Sequence, residues 1–239
     1  MRVVIIGYGS IGQKHASILC DMGIETAVVS RRVVDFPLTY SNVEEAIHHY
    51  KPNLIIIANK TVEHYSSLAD IFQTGWKGKI LVEKPLYCGS HHLIVPQGID
   101  VFVAYNLRFH PAINRLRDWI HKERVISVSA YVGQYLPDWR QNTDYRNSYS
   151  SKVEDGGGVL RDLSHELDYL TWLFGQWTRV SAIGGRYSSL EITTDDCWGV
   201  LFQTKACPIV SLQLNYLDRP GSRNLVVITD LHTFKLDLI

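Results

Sequence analysis

Apolar residues in the first 104 positions cluster in short runs, within residues 2–7, 25–30, 54–58, 80–82 and 101–104. They lack the every-second-residue alternation of a half-exposed strand. Runs of this kind belong to strands covered on both faces, as in a parallel sheet. Between the runs, apolar residues recur at helical spacing: Ile11, Ala16, Leu19 and Cys20 within 11–22, then 43–50 behind a Ser41 or Asn42 cap, then 64–72. Residues 111–121 predict a further helix with Pro111 in its first turn. Strands alternating with helices require right-handed crossovers and a doubly wound parallel sheet, whose ligand crevice lies beyond the carboxyl ends of the strands.

Past residue 125 the pattern changes. Residues 125–135, 179–187, 197–204, 209–216 and 224–229 alternate partially, and one strong helical stretch, 159–174, interrupts them. Sequential strands suit an open, mostly antiparallel sheet with a helix on one face. The fold class is therefore α/β followed by α+β, with domains 1–122 and 123–239 and a boundary at residues 122–125. The chain stops within the strand-like run 234–239, so the second domain reads as short, with an edge strand open to pairing.

Composition narrows the functions. A chain of 239 residues with 46% hydrophobic residues has room for two cores. Lys and Arg number 24 and Asp and Glu 24, so no basic surplus points to nucleic acid or an anionic membrane. No apolar run approaches a membrane span, and the opening MRVVIIG enters a glycine-rich turn, as a first strand does and a signal peptide does not. Cys20, Cys88, Cys197 and Cys207 form no CxxC pair and no zinc-ligand spacing. They read as reduced thiols of a cytoplasmic protein with no metal site.

Gly7, Gly9 and Gly12, with Ser10 and Ile11 between the last two, make the pattern GxGxxG between a strand and a helix. In that context it marks a Rossmann dinucleotide site. The first glycine permits the tight turn, the second lets a pyrophosphate approach the backbone, and the third allows close helix packing. At the end of the second strand, where NAD sites usually carry an acid, stand Ser30, Arg31 and Arg32. A hydroxyl and two guanidinium groups suit a 2′-phosphate, which favours NADP(H) over NAD(H). If both arginines are merely solvated, Asp35 becomes a late acid for NAD(H).

The chain resembles the glucose-fructose oxidoreductase / inositol dehydrogenase / MocA (Gfo/Idh/MocA) family. The resemblance rests on GYGSIG at 7–12, IIIANKTVEH at 55–64, Glu83-Lys84-Pro85, YNLRFHP at 105–111 and GGGVLRDLSHELD at 156–168, in the family's order. It implies a Rossmann domain followed by an open-sheet domain, and hydride transfer to or from a sugar-like hydroxyl. It also implies a substrate lying between the nicotinamide and the helix after the GGG turn, and a homodimer or homotetramer. Asn59, His64 and Glu83 are then expected in the cofactor set, although His64 equally suits a structural place at a helix start.

The resemblance further implies that Lys84 points at the substrate hydroxyl, before a Lys–Pro bond that is cis. The bare sequence allows instead a surface lysine before a turn proline. Asp162 and His165, three apart on one helix, would share a face and contact substrate hydroxyls, with His165 as acid/base. Relatives place their acid four residues before the histidine, so the spacing here departs by one. Arg108 suits either a substrate anion or a tie between the domains. Trp139, Arg140 and Tyr145 suit a sugar ring or its anionic group, or else a loop packed over the sheet. Two other readings of the whole chain stay open: a cofactor-binding sensor without turnover, and a lyase or hydrolase using nicotinamide transiently.

Overall fold

β1 (Arg2–Ile6), β2 (Glu25–Val29), β3 (Thr39–Tyr40), β4 (Leu54–Ile57), β5 (Gly78–Val82) and β6 (Ile99–Val103) form one sheet in the order β3-β2-β1-β4-β5-β6, parallel throughout. The computed structural model describes residues 1–140 and 143–239, which divide into the units Met1–Ala104 and Tyr105–Ile239. In the first unit Val4, Ile6, Val29, Ile55, Ile57, Ile80 and Val82 pack with Val43 and Ala46 of α2 (Val43–Tyr50) and Leu68 and Ile71 of α3 (His64–Gln73). Their strand neighbours Val3, Ile5, Val28 and Ile56 pack with Ala16 and Leu19 of α1 (Ser10–Asp21). At the centre of the sheet, in β1 and β4, both faces are buried, which is why those strands read as unbroken apolar runs.

The α2 cap is Asn42, whose side chain accepts the Glu45 N–H. Ser41 contributes differently: its N–H and hydroxyl both donate to the Glu45 carboxylate, at 3.3 and 2.9 Å. The helix start is thus satisfied from both directions. The crossover from β5 to β6 runs through residues 83–98 as turns and bends.

The second unit holds α4 (Pro111–Ile120), β7 (Val125–Gly133), α5 (Val159–Asp162), α6 (His165–Phe174), β8 (Trp177–Gly185), β9 (Cys197–Thr204), β10 (Ile209–Asn215), β11 (Ser222–Thr229) and β12 (Thr233–Asp237). The strand order is β12-β11-β7-β10-β9-β8; β7 and β10 are parallel and the other neighbours antiparallel. One face presents Val128, Ala130, Val200, Phe202, Val210, Leu212, Leu225 and Val227, all buried with Ile113, Leu116, Tyr169, Leu170 and Phe174 of the helices. The opposite face presents Ser129, Leu201, Ile209 and Gln213 to solvent.

Ile113, Leu116 and Ile120 of α4 belong to the core of the second unit. One expectation needs correction. The single helix expected over 159–174 is two, α5 and α6, separated at Leu163 (φ −99°, ψ 25°) and Ser164. Asp162, the last residue of α5, accepts a hydrogen bond from the Tyr216 hydroxyl at 2.6 Å.

Candidate cofactor and active site

Gly7 (φ +94°) lies so close to β4 that a Cβ there would stand 2.6 Å from the backbone N and Cα of Asn59. Gly12 faces the same turn from α1, where a Cβ would stand 2.0 Å from the Gly7 carbonyl oxygen. Packing of the protein itself therefore demands both glycines. Gly9 is different: a Cβ there meets nothing within 4 Å, and its φ is −83°. As the cap of α1 it offers no side chain to the first N–H groups of the helix, and Ser10 and Ile11 beside it are exposed. The result is open space before the positive end of a helix dipole, which fits a pyrophosphate.

Around this turn stand the ends of β2, β4 and β5. The Ser30 hydroxyl accepts the Arg32 N–H and donates to the Arg32 carbonyl, fixing the chain where Arg31 and Arg32 are exposed. Arg31 lies 3.6 Å from the Glu63 carboxylate, an exposed pairing of little energy. Asn59 donates to Ser67 Oγ at 2.9 Å, and its buried Oδ1 has no hydrogen-bond partner among the described residues. A buried acceptor left open beside the glycine turn suits a donor on a bound dinucleotide.

His64 is 1% exposed, its Nδ1 3.1 Å from the Pro85 carbonyl and its Nε2 3.3 Å from the Asn59 carbonyl. Burial pushes its pKa down, against smaller upward effects from backbone carbonyls and Glu83. The ring expected among the cofactor ligands is enclosed by backbone instead. Glu83, also expected there, bonds to His15 Nε2 on α1 at 2.7 Å. Sequence reading did not single out His15; its one signal was its place, one turn past Gly12. Lys84 is half-buried just beyond β5, and the Lys84–Pro85 bond is cis as the resemblance implied.

In the second unit, Gly156 (φ +81°) and Gly158 (φ +120°) take the conformation that favours glycine. The Asp195 carboxylate accepts the Leu160 N–H and the Trp198 indole N–H, holding the start of α5. Asp162 is buried. Its partners Tyr216 and Tyr149 have pKa values raised first by burial and then by the Asp162 charge, so both hydroxyls stay protonated donors at ordinary pH. Neither tyrosine stood out in the sequence. His165 opens α6, half-buried, with its ring edge-on to Tyr105 at 5.7 Å. Asp162 and His165 thus belong to different helices, and the shared helix face expected for them does not exist.

Arg108 gives Nε and Nη2 to the two oxygens of Asp168, at 2.8 and 2.5 Å, and lies over Trp172. Both residues belong to the second unit, so this pair does not join the two. Glu166, fully buried, stands 2.9 Å from Arg223 Nε. Trp139 donates to the Gln134 carbonyl and packs edge-on against Tyr216; Arg140 lies over the Tyr149 ring; Tyr145 accepts the Glu191 N–H. With Leu136, Thr143, Ser148 and Ser150 they line a recess of about 10 Å³, the room of one water molecule.

Among the described residues no helix is long and apolar enough to cross a membrane. Residues 1–92 match the model of an oxidoreductase family with an NAD-binding Rossmann fold, and residues 113–234 match the GFO/IDH/MocA C-terminal domain. Levoglucosan dehydrogenase of Pseudarthrobacter phenanthrenivorans is 22% identical over 210 residues, covering 77% of this chain and 53% of its own length. The Synechocystis oxidoreductase sll0816 is 26% identical over 148 residues, covering 59% of this chain and 39% of its own length. The chain thus spans about half or less of these relatives. In three dimensions it is similar to levoglucosan dehydrogenase in complex with NADH and levoglucosan (TM-score 0.83, 17% identity, 99% of this chain and 73% of that one). It is also similar to the WlbA dehydrogenase of Bordetella pertussis in complex with NADH and UDP-GlcNAcA (TM-score 0.81, 17% identity, 99% and 77%). With both of its halves matched and its first half built around a dinucleotide turn, the chain belongs to the Gfo/Idh/MocA family of oxidoreductases, whose N-terminal domain is an NAD-binding Rossmann fold.

Proposed function

We propose that this protein is an NADP(H)-preferring dehydrogenase that moves a hydride between nicotinamide and a hydroxyl-bearing carbon of a sugar, nucleotide sugar or polyol. The observation that carries the reading is the glycine turn, in which protein packing explains Gly7 and Gly12 but leaves Gly9 to be explained by a ligand. The substrate class draws on the relatives, one named for levoglucosan and one solved with UDP-GlcNAcA. Gly7, Gly9, Ser10, Ile11 and Gly12 would hold the pyrophosphate, Ser30, Arg31 and Arg32 a 2′-phosphate, and Asn59 Oδ1 a donor group. The cofactor supplies the hydride acceptor or donor.

Oxidising an alcohol also requires the hydroxyl proton to leave. Lys84 takes that proton in the oxidative direction and returns it in the reverse. In the second unit, His165 serves the substrate hydroxyls as a further acid/base group. Asp162, already engaged by Tyr216, holds its segment in place rather than exchanging protons. The reading extends to a cytoplasmic protein, in keeping with Cys20, Cys197 and Cys207 as thiols. It also extends to a homodimer or homotetramer formed through the open sheet face bearing Ile183, Leu201 and Ile209.

Four outcomes are expected. Gly9→Ala weakens NADH and NADPH binding by about tenfold or more, roughly 1.4 kcal/mol, while its melting temperature stays within about 2 °C of wild type. Fluorescence titration and calorimetry check this; unchanged affinity removes the main support. A panel of sugars, nucleotide sugars and polyols gives cofactor-dependent absorbance changes with at least one member, and Lys84→Ala lowers kcat by about a hundredfold or more. Cofactor binding without turnover across the panel would instead indicate a sensor. The double variant Arg31→Ser, Arg32→Ser loses roughly ten- to a hundredfold in NADPH affinity with little change for NADH; equal losses for both would reject the 2′-phosphate assignment. Light scattering reads a dimer or tetramer, and a monomer at all usable concentrations would refute the oligomer.

A further inference from the structure

We propose that His64 is a positioning residue, holding the Lys84–Pro85 turn beside the end of β4 through a hydrogen bond from its ring to the Pro85 carbonyl. The inference rests on the role given to Lys84 above and goes beyond it. Two backbone carbonyls face this ring. Its Nδ1 reaches the Pro85 carbonyl 21 residues ahead, and its Nε2 faces the Asn59 carbonyl five residues back. Asn59 in turn carries the backbone against which Gly7 is packed. The ring is 1% exposed and encloses no space for a ligand. Such a group acts by fixing where others stand.

The proton inventory supports one assignment. Burial keeps the imidazole neutral near neutral pH, and a neutral ring carries a single N–H. The inference assigns that proton to Nδ1, the nitrogen 3.1 Å from the Pro85 carbonyl, to which it donates. Pro85 follows Lys84 directly, so the position of this carbonyl governs the backbone from which the Lys84 side chain extends. Proton transfer tolerates little displacement: an error of about 1 Å costs on the order of a hundredfold in rate. Glu83, the residue before Lys84, is held separately by His15.

Three substitutions separate a positioning role from a merely structural one. Asn sets its amide N–H near the place of the ring Nδ1, Gln sets it nearer the place of Nε2, and Leu removes it. His64→Leu and His64→Gln are expected to lower kcat by roughly ten- to a hundredfold while the KM for the cofactor moves less than about threefold. His64→Asn is expected to stay within about threefold of wild type in both. The inference is overturned if His64→Leu keeps wild-type kcat, or if His64→Asn loses as much as His64→Leu. Should the Leu variant fail to fold, equal kcat in the Asn and Gln variants overturns it. If the wild type binds NADH yet turns over no sugar, the functional reading fails on its own. Hydrogen exchange of the amides at 86–88 then decides: exchange faster in His64→Gln than in wild type and His64→Asn supports the hydrogen bond, and equal exchange removes it.

Discussion

The backbone of Asn59 fills the space that a side chain on Gly7 would need, and this close approach locks the first βα turn to the end of β4. Two strand ends are held at van der Waals distance without any side chain between them. Gly12 extends the constraint by bringing α1 against the Gly7 carbonyl. His64 extends it in the other direction, to the Pro85 carbonyl. A chain of close backbone approaches thus runs from β1 to β5 beyond the carboxyl ends of the strands, the side on which open α/β sheets bind ligands. Within that chain Gly9 faces open space, so the same architecture that closes two positions leaves one available.

The second unit organises its interior around buried polar groups instead. Asp162, Glu166 and Asp196 are each nearly or fully removed from solvent, and each has a defined partner: the Tyr216 hydroxyl, Arg223, and the N–H groups of Tyr187 and Ser188. Buried carboxylates are costly unless bonded, so each ties the surrounding segments to one arrangement. Asp196 fixes the turn between β8 and β9, Glu166 ties α6 to β11, and Asp162 ties α5 to the end of β10.

How much of this was legible in the sequence depended on range. The parallel strands could be read because both their faces are buried, which leaves a local signature of continuous apolar runs. The glycine turn and Glu83-Lys84-Pro85 could be read because their neighbours in sequence supply the context. The break at Leu163 could not: Val159, Asp162, Leu163, Glu166, Tyr169 and Leu170 are buried at unbroken helical spacing, as one helix would be. The partners of Glu83 and Asp162 were equally hidden, since His15 lies 68 residues from Glu83 and Tyr216 lies 54 from Asp162. Arg108 illustrates the same limit. Its type suggested an anion, but which anion, Asp168 or a ligand, is decided sixty residues downstream. β3, only two residues long, is too short to carry any periodic signal.

β7 is the first strand of the second sheet in sequence, yet it lies between β10 and β11. In the first sheet β1 finds β2 close by, with Arg2 opposite Glu25. For β7 the corresponding bonds span far more chain, as between Ser211 and Val128, 83 residues apart. Closing the longer loop costs roughly 1 kcal/mol more in chain entropy, and non-local pairing of this kind slows folding. During synthesis on a ribosome, the N-terminal sheet can assemble while the strands that flank β7 have yet to emerge. The apolar side of β7 stays uncovered by its strand neighbours through that interval, which makes this half of the nascent polypeptide the more exposed to misassociation.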